Sequence, residues 1–69
     1  MTNTLELKKA ILDSGCSAGD CAKRLNISRA SFSNKLNNKT DFWATEIQKL
    51  SDMLNLTPEQ RTLIFFNGN

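Results

Sequence analysis

Cys21-Ala22-Lys23-Arg24-Leu25-Asn26-Ile27-Ser28-Arg29-Ala30-Ser31-Phe32-Ser33-Asn34-Lys35-Leu36-Asn37-Asn38-Lys39-Thr40 reads as two short helices joined by a tight turn. Cys21, Ala22 and Leu25 share one face of the first helix; Phe32 and Leu36 share one face of the second. Between them, Asn26 is one of the few non-glycine residue types that tolerate positive φ. Ile27 then points back toward a core, and Ser28 offers a hydroxyl to cap the next helix. The stretch holds five of the nine basic residues, Lys23, Arg24, Arg29, Lys35 and Lys39. The seven acids, Glu6, Asp13, Asp20, Asp41, Glu46, Asp52 and Glu59, all lie outside it. A net charge of only +2 conceals this asymmetry, and a basic helix pair on a nearly neutral domain suits a polyanion-binding surface.

Working outward, the spacing predicts a helix from about Thr4 to Ser14, with Leu7 and Ile11 inward, Ala10 and Leu12 widening the stripe, and Gly15 ending it in a left-handed conformation. Ser17 with Asp20 forms a capping-box pattern for the first helix of the quoted stretch. Gly19 in that first turn costs on the order of 1 kcal/mol relative to alanine; it either permits a close backbone approach or is drift at a tolerant site. The helix opened by Ser28 runs to about Asn37, and Lys39 to Trp43 form a loop. Thr45 with Gln48 predicts the cap of a fourth helix carrying Ile47, Leu50 and Leu54, with Leu56 plugging the corner after it. Thr57-Pro58-Glu59-Gln60 joins a cap, a proline at the first helical position and an acid in the first turn, and opens a fifth helix to about Phe66. No stretch alternates with period two, so the expected class is all-α with five helices, in one domain over residues 1–69.

The composition limits function. There is no histidine or tyrosine, no glycine-rich phosphate loop and no paired-carboxylate motif, so the chain is not expected to be an enzyme, to hold a cofactor or to take a small-molecule substrate. Cys16 and Cys21 do not have zinc-ligand spacing; Cys21 reads as a buried small hydrophobe and Cys16 as partly exposed. No apolar run is long enough for a membrane span, and the polar start is unlike a secretory signal, which together give a cytoplasmic expectation.

Stepping about 100° per residue from Phe32 and Leu36 places Ala30, Asn34 and Asn37 outward, with Ser31 and Ser33 on either side and Arg29 and Lys35 on the flanks. That face is small, polar and free of acids. Asparagine pairs bidentately with adenine, arginine with guanine, and alanine meets a thymine methyl. Residues 21–39 resemble the helix-turn-helix of the phage Cro/cI repressor family, also called XRE-like, and the five-helix count is similar too. Ala22 falls on that family's small residue at the helix crossing, and Ile27 and Phe32 on its buried positions. Asn37-Asn38-Lys39-Thr40 is similar to its phosphate-holding loop. The chain departs from the pattern at Asn26 and Asn38, where the family has glycine, and at Ala18, where it commonly has glutamine.

The resemblance implies a lambda-repressor-like fold whose second and third helices bind double-stranded DNA, as in a transcriptional repressor. It implies base contacts from Arg29, Ala30, Ser31, Ser33 and Asn34, and phosphate contacts from Ser17, Lys35, Asn37, Lys39 and Thr40. Separately, the residues Leu63-Ile64-Phe65-Phe66 cannot all face inward. The leftover apolar area predicts a homodimer contact from Leu63, Phe65 and Phe66 with Trp43, which is expected to be exposed beside a buried Phe42. The competing expectation is a protein-binding module on the same fold: an antitoxin, an antirepressor or an inhibitor of a host enzyme.

Overall fold

The computed structural model describes residues 1–66, and these form five helices. They are α1 (Thr4–Asp13), α2 (Ala18–Leu25), α3 (Arg29–Leu36), α4 (Ala44–Met53) and α5 (Pro58–Phe65). The boundaries follow local chemistry. Asn3, Ser17, Ser28 and Thr57 each accept, through a side-chain oxygen, a backbone N–H of the first turn of the following helix. Four helices end on a left-handed residue, Gly15, Asn26, Asn38 or Asn55, with φ of 77°, 58°, 65° and 54°. Beyond each, an amide returns to the helix's last turn: Cys16 to Ile11, Ile27 to Ala22, Lys39 to Asn34 and Leu56 to Ser51, at 3.3, 3.0, 2.8 and 2.9 Å. This bond closes a Schellman motif, so three asparagines do the work usually given to glycine.

The expected cap of α4 is corrected. The helix starts two residues earlier than Thr45 predicts: Trp43 is the cap residue, and its N–H donates to Glu46 Oε1 at 2.8 Å. Gln48 instead donates to Asp52 Oδ1 at 3.1 Å. A carboxylate at the third helical position is a stronger acceptor than an amide and also opposes the helix dipole, so Glu46 outcompetes Gln48.

The core runs from Leu7 and Ile11 through Cys21, Ala22, Leu25, Phe32 and Leu36 to Ile47, Leu50, Leu54 and Ile64. Phe42, in the loop, stands edge-to-face between Phe32 and Phe65, with ring centroids 5.9 and 5.5 Å apart. This chain of rings ties α3 to α5 through the α3–α4 connection. It also corrects one interface expectation: Phe65 is a core residue, 6% exposed, and faces Phe42 rather than a second subunit. Leu12 is likewise corrected. It lies 77% exposed, about 100° round α1 from Ile11 and outside the buried stripe. Cys21 is fully buried, and that desolvation pushes its thiol up to about 11, so it stays protonated at neutral pH. No helix among the described residues is long and apolar enough to cross a membrane.

The residues before α1 brace the end of α3. Asn38 accepts the Thr2 N–H at 2.8 Å and donates to the Thr2 carbonyl at 2.8 Å, while the Thr4 hydroxyl donates to the Leu36 carbonyl at 2.6 Å. On the other side, the Asn3 N–H donates to the Ile64 carbonyl at 2.7 Å. Asn38→Gly keeps the left-handed backbone but loses the side-chain bonds, and is expected to destabilise the domain by about 1–2 kcal/mol. Asn38→Ala adds the left-handed penalty of about 1–2 kcal/mol. Urea melts of the two variants should therefore order as wild type, glycine, alanine; equal midpoints for all three would show that the brace contributes nothing.

Candidate nucleic-acid interface

The α2–α3 pair forms the helix-turn-helix, with Asn26, Ile27 and Ser28 as the turn. Ile27 is partly buried and packs against the core, which fixes the angle between the helices. Because Phe32 and Leu36 are drawn inward, the opposite side of α3 is left to solvent. Arg29, Ala30, Ser33 and Asn34 are all exposed there, and no acid belongs to the helix. Among the described residues the Asn34 side chain has no hydrogen-bond partner, although its backbone carbonyl accepts from Lys39 and Thr40 N–H at 2.8 and 3.4 Å. Its amide is therefore available to a ligand.

Three neighbours are already engaged. Ser31 is half-buried: its N–H donates to the Ser28 hydroxyl oxygen at 3.0 Å, and the two hydroxyls lie 3.1 Å apart. The Asn37 amide turns back onto Ser33, donating to its carbonyl at 2.9 Å and to its hydroxyl at 3.3 Å. Ser33 and Asn37 thus present one joined polar unit, and the freest groups on the outer face are Arg29, Ala30 and Asn34.

Two residues expected to meet phosphate are engaged within the protein. Lys35 does not reach outward. Its ammonium is 3.0 Å from Glu46 Oε1, donates to the Asp41 carbonyl at 3.0 Å and lies 5.4 Å from the centre of the Trp43 ring. Its side chain is only 11% exposed. Ser17 is engaged in the cap of α2. Its N–H donates to Asp20 Oδ2 at 2.9 Å, and its hydroxyl oxygen accepts the Asp20 N–H at 3.1 Å. Hydrogen bonding from Ser17, first its backbone and then its side chain, holds the Asp20 carboxyl below its ordinary range. A carboxylate that stays ionised at this helix start opposes a phosphate.

The cations left on this side are Lys23, Arg24, Arg29 and Lys39, all exposed and without an ion pair among the described residues. Lys39 and Thr40 sit in the loop held by the Asn34 carbonyl, so that loop has a defined path. Arg29 crosses the first turn of α2: a Cβ built on Gly19 would lie 3.7 Å from Arg29 Nε and 3.8 Å from its Cδ. These are ordinary contact distances, and Gly19 does not have positive φ. Gly19→Ala is therefore expected to stabilise the domain by about 1 kcal/mol through helix propensity, read as a higher urea midpoint. A lower midpoint would show that Arg29 needs the missing side chain's space.

The family model described as Protein of unknown function (DUF739) matches residues 5–68, nearly the full length. The chain belongs to the DUF739 family. No curated protein and no solved structure matches it. In this DUF739 chain the match covers α2 to α5 and all of α1 but its first residue, so the helix-turn-helix and the α5 surface lie within one family unit.

Sequence reasoning missed Glu46, which is 8% exposed and pairs with Lys35. The usable signal was its third-position spacing from Trp43; nothing in the periodicity marks its partner. Sequence reasoning also missed the Asn38 bonds to Thr2, which join residues far apart in the chain.

Proposed function

We propose that this protein is a sequence-specific double-stranded DNA-binding transcriptional regulator, a Cro-like repressor that inserts α3 into the major groove of a pseudo-palindromic operator. The observation that carries the reading is the outer face of α3, where Arg29, Ala30, Ser33 and Asn34 are exposed together with no acid among them. Small side chains let a helix seat deeply, while Arg29 and Asn34 supply base-edge hydrogen bonds. Lys23, Arg24, Lys39 and Thr40 flank that face and suit phosphate contacts, which set register and orientation. The chemistry is recognition without catalysis or a cofactor, in the cytoplasm of a bacterial or phage-infected cell.

The protein acts as a homodimer. Leu63 on α5 and Phe66 at its end, three residues apart, are 41% and 59% exposed and supply the apolar contact. Twofold pairing would set two copies of α3 about 34–36 Å apart, one turn of B-DNA. Trp43 is 70% exposed, but its ring covers Lys35, and its place is at the α3–α4 connection.

A second reading has its own support. Leu5 and Leu12 are 70% and 77% exposed and, seven residues apart, share the outer face of α1. Such a stripe favours a protein-binding module: an antitoxin, an antirepressor or an inhibitor of a host enzyme. A mobility-shift assay against fragmented genomic DNA at two salt concentrations separates the readings. The DNA reading expects a shift at low salt that fades steeply as salt rises; no shift at low salt favours the protein partner.

A further inference from the structure

Four groups meet where α3 gives way to α4. Lys35 Nζ bonds Glu46 Oε1 and the Asp41 carbonyl, both at 3.0 Å, beneath the Trp43 ring. The same Glu46 Oε1 accepts the Trp43 N–H at 2.8 Å. The pair therefore ties the last turn of α3 to both ends of Asp41-Phe42-Trp43, directly after Lys39 and Thr40. Both charged side chains are 11% exposed. Moving Lys35 out to a phosphate would leave the Glu46 carboxylate nearly buried and unpaired, beside a polyanion. A buried carboxylate stripped of its partner is strongly destabilising, so the excursion is disfavoured twice over.

We propose that Lys35 and Glu46 are a positioning pair for DNA binding: they fix the connection that carries Lys39 and Thr40, and Lys35 makes no phosphate contact. The inference rests on the DNA-binding reading and says which groups at that surface act on the duplex and which act through the loop. Lys35 also offsets the Glu46 charge beside α3, so the exposed Lys23, Arg24, Arg29 and Lys39 set the sign of the surface presented to DNA. Trp43, the only tryptophan, stands on the pair and reports its state.

The test uses the full chain, the duplex recovered by selection from a random pool, and binding constants across a salt series. Its main variant is Lys35→Met/Glu46→Met, in which neither charge is left behind. Thermal melting first establishes the folded fraction, and Lys39→Met is the comparison. For the double variant the expected result is an affinity lower by about tenfold, the net worth of roughly one or two ordering hydrogen bonds. The slope of log K against log salt stays unchanged, and Trp43 fluorescence shifts in the free protein. For Lys39→Met the slope falls by about 0.9 per protomer. A similar fall in slope for the double variant would make Lys35 a phosphate ligand and overturn the proposal; so would undiminished affinity despite a shifted Trp43 signal. A wild-type protein that binds no duplex sinks the DNA-binding reading itself, whereas normal wild-type binding with either contrary result sinks this inference alone.

Discussion

Replacing Lys35 alone with methionine is expected to destabilise the domain by about 3 kcal/mol, the lower end of the range for a buried charge stripped of its partner. The lower end applies because both side chains keep 11% of their surface in water. The Glu46 carboxylate would retain the Trp43 N–H but lose its counter-charge, and the Asp41 carbonyl would lose its donor. A core of this size typically supplies only about 3–5 kcal/mol of net stability, so most of the margin would be gone. Urea denaturation followed by circular dichroism should show a large fall in midpoint. Lys35→Met/Glu46→Met should recover most of it, because a well-packed apolar pair replaces an ion pair at little net cost. A single variant as stable as wild type would mean that the ion pair is effectively solvated and that Lys35 is free to move.

The second large effect concerns the duplex. Asn34→Ala should lower affinity for the preferred sequence by about 1–3 kcal/mol and relax preference at one base position, because a bidentate base contact is lost. Lys39→Ala should weaken binding to all duplexes alike and flatten the salt dependence by about 0.9 per protomer, because a phosphate contact releases counterions. The two variants thus separate base reading from phosphate holding on neighbouring residues. Competition titrations with the preferred duplex and with base-substituted duplexes measure both. If Asn34→Ala left the ranking of sequences unchanged, or Lys39→Ala left the salt slope unchanged, the surface assigned here would be wrong.

The fold was legible because its signals are local. Ser17 with Asp20, Ser28, and Thr57 through Gln60 cap helices as their spacing predicts, and Asn26 takes the left-handed turn that its residue type allows. Leu7, Ile11, Phe32, Leu36, Ile47, Leu50 and Leu54 are buried as the helical period requires. The outer face of α3 followed from the same geometry, since a helix with two buried residues four apart must turn its other side outward. The departures have both non-local and local causes. Lys35 looked like a surface cation until Glu46 was brought beside it by the packing of α3 against α4. Phe65 looked available until Phe42 folded into the space between α3 and α5. Ser17 stands at a helix start as expected, and the Asp20 carboxylate that accepts its N–H sets a negative charge beside it. At α4, two cap patterns compete two residues apart, and the ionised acceptor prevails over the amide.

Selection of bound duplexes from a random pool, carried out with the wild-type chain at about 50 mM salt where electrostatic attraction is strong, bears on α3 as a DNA reader most directly. The expected result is enrichment of a pseudo-palindrome with half-site centres about 10–10.5 base pairs apart, lost or altered at one position per half-site in the Asn34→Ala protein. Recovery of no sequence above background at that salt, or of the same sequence with undiminished affinity by a protein lacking the Arg29 and Asn34 side chains, would contradict it.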